Sequence, residues 1–148
     1  MPNKIKNNFK NKPMLKVFIS YSYQHRKKFL NFHKKLKKIL KKFNIELYSF
    51  VFEFKKKVNN KQMMKQALEK INESNILITE ASFKQIGIGI EAGYAKAKGK
   101  KIIYIKKKGS ELSTTLDGIA DFLIEYTNFK NLITQLQNIF LSPITKTN

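Results

Sequence analysis

The 148-residue sequence contains no cysteine and no tryptophan. Without cysteine the chain can form neither a disulfide nor a thiolate metal site, and it has no cysteine nucleophile. Only two histidines, His25 and His33, are present, which argues against a histidine-rich metal site. We therefore expect no bound metal, and nothing in the sequence calls for a cofactor.

Acidic residues and arginine are also scarce. The chain has 30 basic and 10 acidic residues, giving a net charge of +20, yet Arg26 is its one arginine. Arginine is the usual choice for bidentate contacts to phosphates and bases. We therefore interpret the lysines mainly as a solvated surface, and we do not expect nucleic acid as a partner. General attraction of anionic small substrates is the other interpretation that remains open.

Long hydrophobic runs are absent as well. No segment approaches the length of a membrane span, and the lysine- and asparagine-rich start lacks an apolar signal core. We expect a cytoplasmic protein without membrane association. Its length and hydrophobic fraction of 42% suit one domain with one core. The predicted boundaries are a disordered basic leader at 1–13, a single α/β domain at 14–142 and a tail at 143–148.

Apolar runs of strand type alternate with segments of helical spacing along this domain. This alternation predicts a flavodoxin-like three-layer sandwich, in which a five-stranded parallel sheet carries helices on both faces. Within the second helix, Met63 and Met64 are interpreted as core residues, and His33 is predicted on a surface or boundary face of the first helix. The predicted strands are 15–20, 44–54, 75–79, 101–105 and 121–126, and the predicted helices are 26–43, 61–72, 88–98 and 128–140.

The stretch Gly87-Ile88-Gly89-Ile90-Glu91 is the strongest functional clue. Ligands of such sheets bind outside the carboxyl ends of the strands, and this stretch follows the third predicted strand. Two glycines let the backbone approach a ligand and adopt angles that other residues avoid. We predict Glu91 in the first helical turn, where the helix end favours its ionised form by about 0.3–1 kcal/mol. Glu91 could then serve as a nucleophile at a sugar carbon, or it could simply stabilise its helix end.

The segment from Ser74 to Tyr104, which contains this stretch, resembles the nucleoside 2-deoxyribosyltransferase superfamily. It is most similar to the branch of 2'-deoxynucleoside 5'-phosphate N-hydrolases. The resemblance implies that Glu91 attacks C1' of a deoxyribosyl group and displaces the base of a nucleoside or nucleotide substrate. It also implies that Ser22 and Ser113 contact the phosphate, with Ser113 reaching over from the second subunit of a homodimer with shared sites. The remaining residues that we predict to bind substrate are Ser20, Tyr21, Glu80, Gly87 and Gly89.

Four positions depart from the pattern of this superfamily. Its tyrosine on the first strand falls at Phe18, its arginine in the first loop at Gln24, and its serine before the glycines at Gln85. An aspartate that helps to protonate or position the base falls at Ala67. A general acid is typically worth about 10²- to 10⁴-fold in rate. Either another group supplies the proton, with Tyr21, Tyr23 and Glu80 as candidates, or the substrate differs, or activity is lost.

A second resemblance leads to an alternative function. The run from Val17 to Ser22 resembles the opening of Toll/interleukin-receptor domains, many of which cleave NAD with a glutamate on a comparable helix. Those domains commonly have a Trp-Cys pair near that glutamate, and this chain has neither residue. The alternatives to deoxyribosyl chemistry are therefore NAD cleavage and a nucleotide-binding or interaction domain without turnover.

Overall fold

Five parallel strands form one sheet in the computed structural model, which describes residues 14–141. The strand order is β2-β1-β3-β4-β5, so the direction in which strands are added reverses between β1 and β3. This is the order and the switch point of flavodoxin-like sheets. The strands are β1 (Leu15–Ser20), β2 (Ile45–Tyr48), β3 (Ile76–Glu80), β4 (Lys101–Lys107) and β5 (Phe122–Tyr126).

Helices cover both faces of the sheet, which confirms the predicted fold class. A short 3-10 segment, Arg26–Lys28, precedes the first of them. The helices are α1 (Leu30–Lys41), α2 (Phe50–Glu53), α3 (Asn60–Glu73), α4 (Ile86–Ala97), α5 (Thr114–Ile119) and α6 (Phe129–Phe140). Core residues of α1 and α6 pack on one face, called here the α1/α6 face. Those of α3, α4 and α5 pack on the other, called here the α3/α4 face. Among residues 14–141, no helix is long and apolar enough to cross a membrane.

The alternation of side chains along each strand builds these two cores. In β3, every residue of which is buried, Ile76 and Ile78 join the α1/α6 core, whereas Leu77 joins the α3/α4 core. A parallel sheet covered on both faces requires such apolar strands. Each fully buried aliphatic side chain contributes about 1.5–3 kcal/mol relative to exposure. Because side chains alternate in the same way at the ends of the strands, only residues that point to the same face of the sheet can contribute to one site.

The predicted strand at 44–54 is wrong in its second half. β2 ends at Tyr48, and the aromatic residues that follow it form the short helix α2. Glu53 causes this change, because its carboxylate accepts a hydrogen bond from the Ser49 N–H at 2.6 Å and closes a helical turn. Strand propensity is here overridden by a local capping contact.

Other helix boundaries also differ from the predicted ones. Regular α1 begins at Leu30 rather than at residue 26, and α4 begins at Ile86, two residues before its predicted start. His33, predicted on a surface or boundary face, is instead 4% exposed, and its ring is hydrogen-bonded to the Tyr21 hydroxyl at 3.0 Å. Gly99 has a φ of +72°, as expected of a glycine that follows a helix. The predicted leader at 1–13 and tail at 143–148 lie outside the described residues.

Candidate active site

A cavity of about 550 Å³ opens on the α3/α4 face beside the carboxyl end of β1. It lies at the switch point, where flavodoxin-like folds bind their ligands. Its volume is within the usual range of about 300–1,000 Å³ for small-molecule sites. We call it the Glu91 cavity. Its polar lining residues are Ser20, Tyr23, Lys56, Gln85 and Glu91.

The apolar wall of this cavity comes from the connection between β2 and α3 and from α3 itself. Phe50 and Phe54 of this wall stack on each other, with ring centroids 4.3 Å apart. Met63 and Met64 are half-buried and line the cavity, so their interpretation as core residues is wrong. The other apolar lining residues on these elements are Val51, Val58 and Ala67. The arrangement offers a flat hydrophobic surface opposite a few polar groups, which suits a ligand with an aromatic ring.

Glu91 lies in the second turn of α4, and the first turn of this helix contains no acidic residue. The predicted stabilisation by the helix end is therefore wrong, because that effect falls off within the first turn. The position instead directs the carboxyl toward the end of β1. Ser20, the last residue of that strand, lines the same cavity.

The environment of Glu91 favours its protonated form. Burial raises the pKa of Glu91 to about 8, while the neighbouring Ser20 hydroxyl acts in the opposite direction. The Ser20 Oγ nevertheless forms no hydrogen bond of regular geometry with a described residue. At neutral pH the Glu91 carboxyl is thus mostly uncharged, contrary to the ionised state predicted from the sequence.

The two glycines of the motif lie inside the first turn of α4, and neither has a positive φ. The prediction that they adopt angles closed to other residues is therefore wrong. A Cβ added at Gly87 or at Gly89 would meet no atom within 4 Å. Gly87 lines the Glu91 cavity one helical turn before Glu91, whereas Gly89 does not line it. At Gly87 a missing side chain therefore leaves room for a ligand beside the carboxyl.

Two departures from the superfamily pattern also lie in this cavity. Ala67 of α3 is 3% exposed and contributes to the wall, so its methyl group occupies the place predicted for an aspartate. Gln85 precedes α4, and its buried Oε1 has no hydrogen-bond partner within residues 14–141. Among the described lining residues, Glu91 is the one carboxylate. The cavity thus lacks the second carboxyl group found in two-carboxylate glycosidase sites.

A buried polar network holds α2, and with it the apolar wall, against the opposite face of the sheet. The Glu53 carboxylate forms an ion pair with Lys37 and lies 3.6 Å from the His33 Nε2. Burial alone would raise the pKa of Glu53, but the neighbouring His33 ring, the Lys37 ammonium and the hydrogen bond from the Ser49 N–H outweigh it and hold the pKa at about 2. Glu53 is therefore ionised at every pH near neutrality. The sequence analysis missed it because its segment was predicted as a strand.

Tyr21 and Glu80 lie away from the Glu91 cavity. Both contribute to the α1/α6 face, where the Tyr21 ring packs against Phe29 with centroids 5.4 Å apart. The Glu80 carboxylate accepts hydrogen bonds from the Tyr126 hydroxyl and from the Ser82 N–H, the latter at 2.7 Å. Burial raises the pKa of Glu80 and exceeds the effect of these hydrogen bonds. Neither residue lines the cavity directly.

Ser22, Gly89 and Ser113 also lie outside the Glu91 cavity within one chain. The Ser22 hydroxyl bonds to the His25 Nδ1 at 3.0 Å in the connection after β1. Ser113 caps α5 by accepting a hydrogen bond from the Leu116 N–H at 3.3 Å. Gly89 and Ser113 line a second cavity of about 370 Å³, called here the Ser113 cavity. Gln85 lines both cavities, so the start of α4 separates them.

The fold of the chain is shared with solved structures of an N-glycosidase and of deoxyribosyltransferases. The CMP N-glycosidase of Clostridium botulinum superposes with a TM-score of 0.64 and 22% identity over 83% of this chain and 98% of that chain. The chain has the fold of the nucleoside 2-deoxyribosyltransferases. The 2-deoxyribosyltransferase of Bacillus psychrosaccharolyticus matches with a TM-score of 0.64 and 14% identity, covering 79% of this chain and 89% of that chain. The enzyme from Leishmania mexicana matches with a TM-score of 0.61 and 13% identity, covering 86% and 99%.

These similarities are structural. No protein-family model matches the sequence, and a comparison with curated proteins finds no significant match. The resemblance that the sequence suggested is thus confirmed in the fold. The roles of individual residues have to be argued from the cavity itself.

Proposed function

We propose that this protein cleaves or transfers the N-glycosidic bond of a deoxynucleoside or a deoxynucleoside 5'-monophosphate, with Glu91 as the nucleophile at C1'. The observation that carries the proposal is the place of Glu91, the one carboxylate among the described residues that line a nucleoside-sized cavity at the switch point. The shared fold supports the same chemistry, because the three neighbours named above are an N-glycosidase and two deoxyribosyltransferases.

The reaction on this proposal has two steps. The ionised Glu91 carboxylate attacks C1', the C1'–N bond breaks, and its electron pair leaves with the base, which takes up a proton. The resulting glycosyl ester is then attacked at C1' by water, giving the free sugar, or by a second base, giving a new nucleoside. Attack by either acceptor breaks the ester C1'–O bond and restores the Glu91 carboxylate, and the two successive displacements follow the retaining pattern of covalent glycosyl transfer.

The raised pKa of Glu91 sets a requirement on this mechanism. A carboxyl with a pKa of about 8 must lose its proton before it can attack. Tyr23 lines the cavity and is 57% exposed, so it is the one candidate proton donor from the sequence analysis that reaches this cavity. Lys56 also lines the cavity and supplies a cation for a phosphorylated substrate.

We further propose that the active form is a homodimer with shared sites. Ile86 of α4 is 82% exposed, and Ile90 and Leu112 are 49% and 37% exposed. Ile86 lines the Ser113 cavity, Leu112 directly precedes Ser113, and Ile90 follows Ile86 by one turn of α4; a second copy of the chain would cover these apolar side chains. In such a dimer the partner's Ser113 would contact the phosphate, while Ser20 and Gly87 would contact the sugar. Ser22, which is 1% exposed and lies outside the cavity, would act by holding the loop after β1. On this proposal Tyr21 and Glu80 do not contact the substrate. From the α1/α6 face of the sheet they fix the positions of the loops after β1 and β3.

The test is incubation with a panel of deoxynucleosides, their 5'-monophosphates, CMP and NAD, with chromatographic detection of the released base. We expect base release by the wild type and a loss of at least about 10³-fold in Glu91→Gln. Glu69→Gln is the matched control, since Glu69 is an exposed acid of α3 that does not line the cavity. Equal activity of wild type and Glu91→Gln would refute the proposal. Release of nicotinamide alone would assign the site to NAD cleavage.

A second function, nucleotide binding without turnover, is favoured by one specific observation. Ala67 occupies the position of the expected acid, and no described residue supplies a second carboxylate to the cavity. This function predicts that a deoxynucleotide raises the melting temperature while no base is released over hours. Turnover that depends on Glu91 would exclude it.

A further inference from the structure

A second large cavity lies on the α1/α6 face, on the opposite side of the sheet from Glu91. Its volume is about 510 Å³. It is bounded by the start of α1, the ends of β4 and β5, and the first residues of α6. Three lysines, Lys28, Lys107 and Lys108, line it together with Phe32 and Phe129. We call it the Lys107 cavity.

The lysines of this cavity converge from separate parts of the chain and form no ion pair with a described residue, although the charge of Lys107 acts on the nearby Glu80 carboxylate at longer range. Among residues 14–141, no carboxylate lies within the 4.0 Å of an ion pair from the ammonium of Lys28, Lys107 or Lys108. No described acidic residue lines the cavity either. Unpaired lysines are common in a chain with 30 basic and 10 acidic residues. Their convergence on one cavity is what distinguishes these three.

Two of these ammonium groups lie over the faces of aromatic rings. The Lys107 Nζ lies 5.4 Å from the centroid of the Phe29 ring, and the Lys28 Nζ lies 4.9 Å from that of Phe83. Cations over ring faces at such distances are attracted by about 0.5–1 kcal/mol even at exposed sites. The Lys107 ammonium is therefore favoured close to Phe29 in the cavity lining, whereas Phe83, over which the Lys28 ammonium lies, is not among the residues that line the cavity.

The aromatic walls provide a surface for a planar group. Phe32 and Phe129 are half-buried, and their rings meet edge to face with centroids 5.6 Å apart. Phe32 also lies 6.0 Å from the ring of Tyr126. Stacking of a base on aromatic side chains is worth about 1–3 kcal/mol. Lysine is a common phosphate ligand that acts as a point charge.

We propose that the Lys107 cavity is a second binding site, distinct from the Glu91 cavity, for a nucleoside diphosphate. Lys28, Lys107 and Lys108 bind the phosphates, and the rings of Phe32 and Phe129 contact the base. The site lies across the sheet from the Glu91 cavity, and its function does not depend on deoxyribosyl chemistry.

The test is a two-dimensional ¹H–¹⁵N NMR titration of the full chain with ADP, in which the two cavities report through separate amide signals. We expect saturable shifts at residues 107, 108 and 127–129. Pyrophosphate supplies only the diphosphate group and adenosine only the nucleoside. Each is therefore expected to bind at least about 10-fold more weakly than ADP. Shifts confined to residues around Glu91 would overturn the proposal, as would equal binding of pyrophosphate and ADP. Binding of a single-stranded oligonucleotide but not of ADP would also overturn it.

Charge-reversal variants complete the test. Lys107→Glu combined with Lys108→Glu is expected to weaken ADP binding at this site at least 10-fold, and Lys28→Glu, on another element, is expected to weaken it as well. Lys41→Glu combined with Lys42→Glu is the matched control, because these adjacent exposed lysines lie at the far end of α1 and do not line the cavity. A well-dispersed spectrum verifies that each variant is folded. Unchanged ADP affinity in the folded cavity variants would overturn the proposal.

Discussion

Ser20 at the carboxyl end of β1 lies beside Glu91 in the second turn of α4, and both residues line one cavity. The contact joins the strand at the switch point to the helix that follows β3. It brings a hydroxyl to a carboxyl whose pKa burial raises to about 8. The protonation of Glu91 is therefore the property on which the first two predictions depend.

The activity of the protein should rise with pH. On the proposed mechanism the attacking form of Glu91 is the carboxylate, and burial raises the pKa of this group to about 8. We expect kcat/KM for base release to increase about tenfold per pH unit below 8 and to level off above it, since this parameter reports the ionisation of the free enzyme. The measurement is a pH profile between 6 and 9.5. A profile that is flat or falling over this range would show that a deprotonated Glu91 is not required.

Replacement of Glu91 by glutamine should stabilise the fold at alkaline pH. The folded-state pKa is raised above the ordinary carboxyl value of 4.5, so folding favours the protonated form. The wild type then loses stability as pH rises from about 4.5 to 8. Each pKa unit corresponds to about 1.4 kcal/mol, and partial solvent contact reduces the full effect. We expect Glu91→Gln to raise the free energy of unfolding by about 1–3 kcal/mol at pH 9, with little difference at pH 4.

Urea denaturation of both proteins at the two pH values measures this difference. The Glu69→Gln variant, which changes an exposed acid, should show no such dependence on pH. An equal effect of Glu91→Gln at pH 4 and pH 9 would contradict the burial of the carboxyl.

Alanine at Gly87 should weaken ligand binding without harming the fold. An added Cβ at Gly87 meets no protein atom within 4 Å, and alanine favours a helix over glycine by about 1 kcal/mol. Because Gly87 lines the Glu91 cavity, the methyl group would occupy ligand space. We expect KM or Kd to rise about 10-fold while the melting temperature stays equal or increases. Gly93→Ala, at an exposed position later in the same helix that lines neither the Glu91 cavity nor the Ser113 cavity, is the matched control and should change only the melting temperature.

Aspartate at Ala67 should raise the rate of base release. The side chain at position 67 faces the Glu91 cavity, where an acid could protonate the departing base. We expect kcat to increase about 10-fold or more in Ala67→Asp, and not in Ala67→Asn, which has a similar size but no proton to give. The assay is single-turnover release of the base. Equal rates in the two variants would show that a proton donor at this position does not limit the reaction.

Removal of the Glu53 charge should loosen the apolar wall. The pKa of Glu53 is lowered to about 2, so its ionised form stabilises the fold above pH 4.5, and this contribution is lost as pH falls toward 2. We expect Glu53→Gln to lower the free energy of unfolding by about 1–3 kcal/mol at pH 7. The difference should shrink on acidification, as measured by urea denaturation. Hydrogen exchange should increase at Phe50–Glu53 more than in β3; equal exchange in both segments would contradict the proposed anchoring.

The sheet and its topology could be predicted because the apolar pattern of each strand is set by burial on two faces. β1 and β3 lie within a residue of their predicted positions, since their side chains are fixed by the two cores. The helix α2 could not be predicted. Its sequence favours a strand, and the Glu53 carboxylate overrides this preference by closing a turn at the Ser49 N–H and by pairing with Lys37, 16 residues away.

The site was predicted less completely than the fold. Glu91 and Gly87 were placed in the correct region because the motif follows β3 at the switch point. Tyr21 and Glu80 lie away from the cavity because consecutive residues of a strand point to opposite faces of the sheet. The sequence alone does not reveal which of two consecutive residues points toward α4. The protonated state of Glu91 was missed because it depends on burial between segments distant in sequence.

The apolar wall of the Glu91 cavity is built by a connection that contributes no strand to the sheet. Residues 49 to 59, between β2 and α3, carry Phe50, Val51, Phe54, Lys56 and Val58 into the cavity. Insertions and substitutions in this segment would therefore change which ring the cavity accepts while strand register stays intact. Grafting the corresponding connection from another protein of this fold is a direct route to a different base preference.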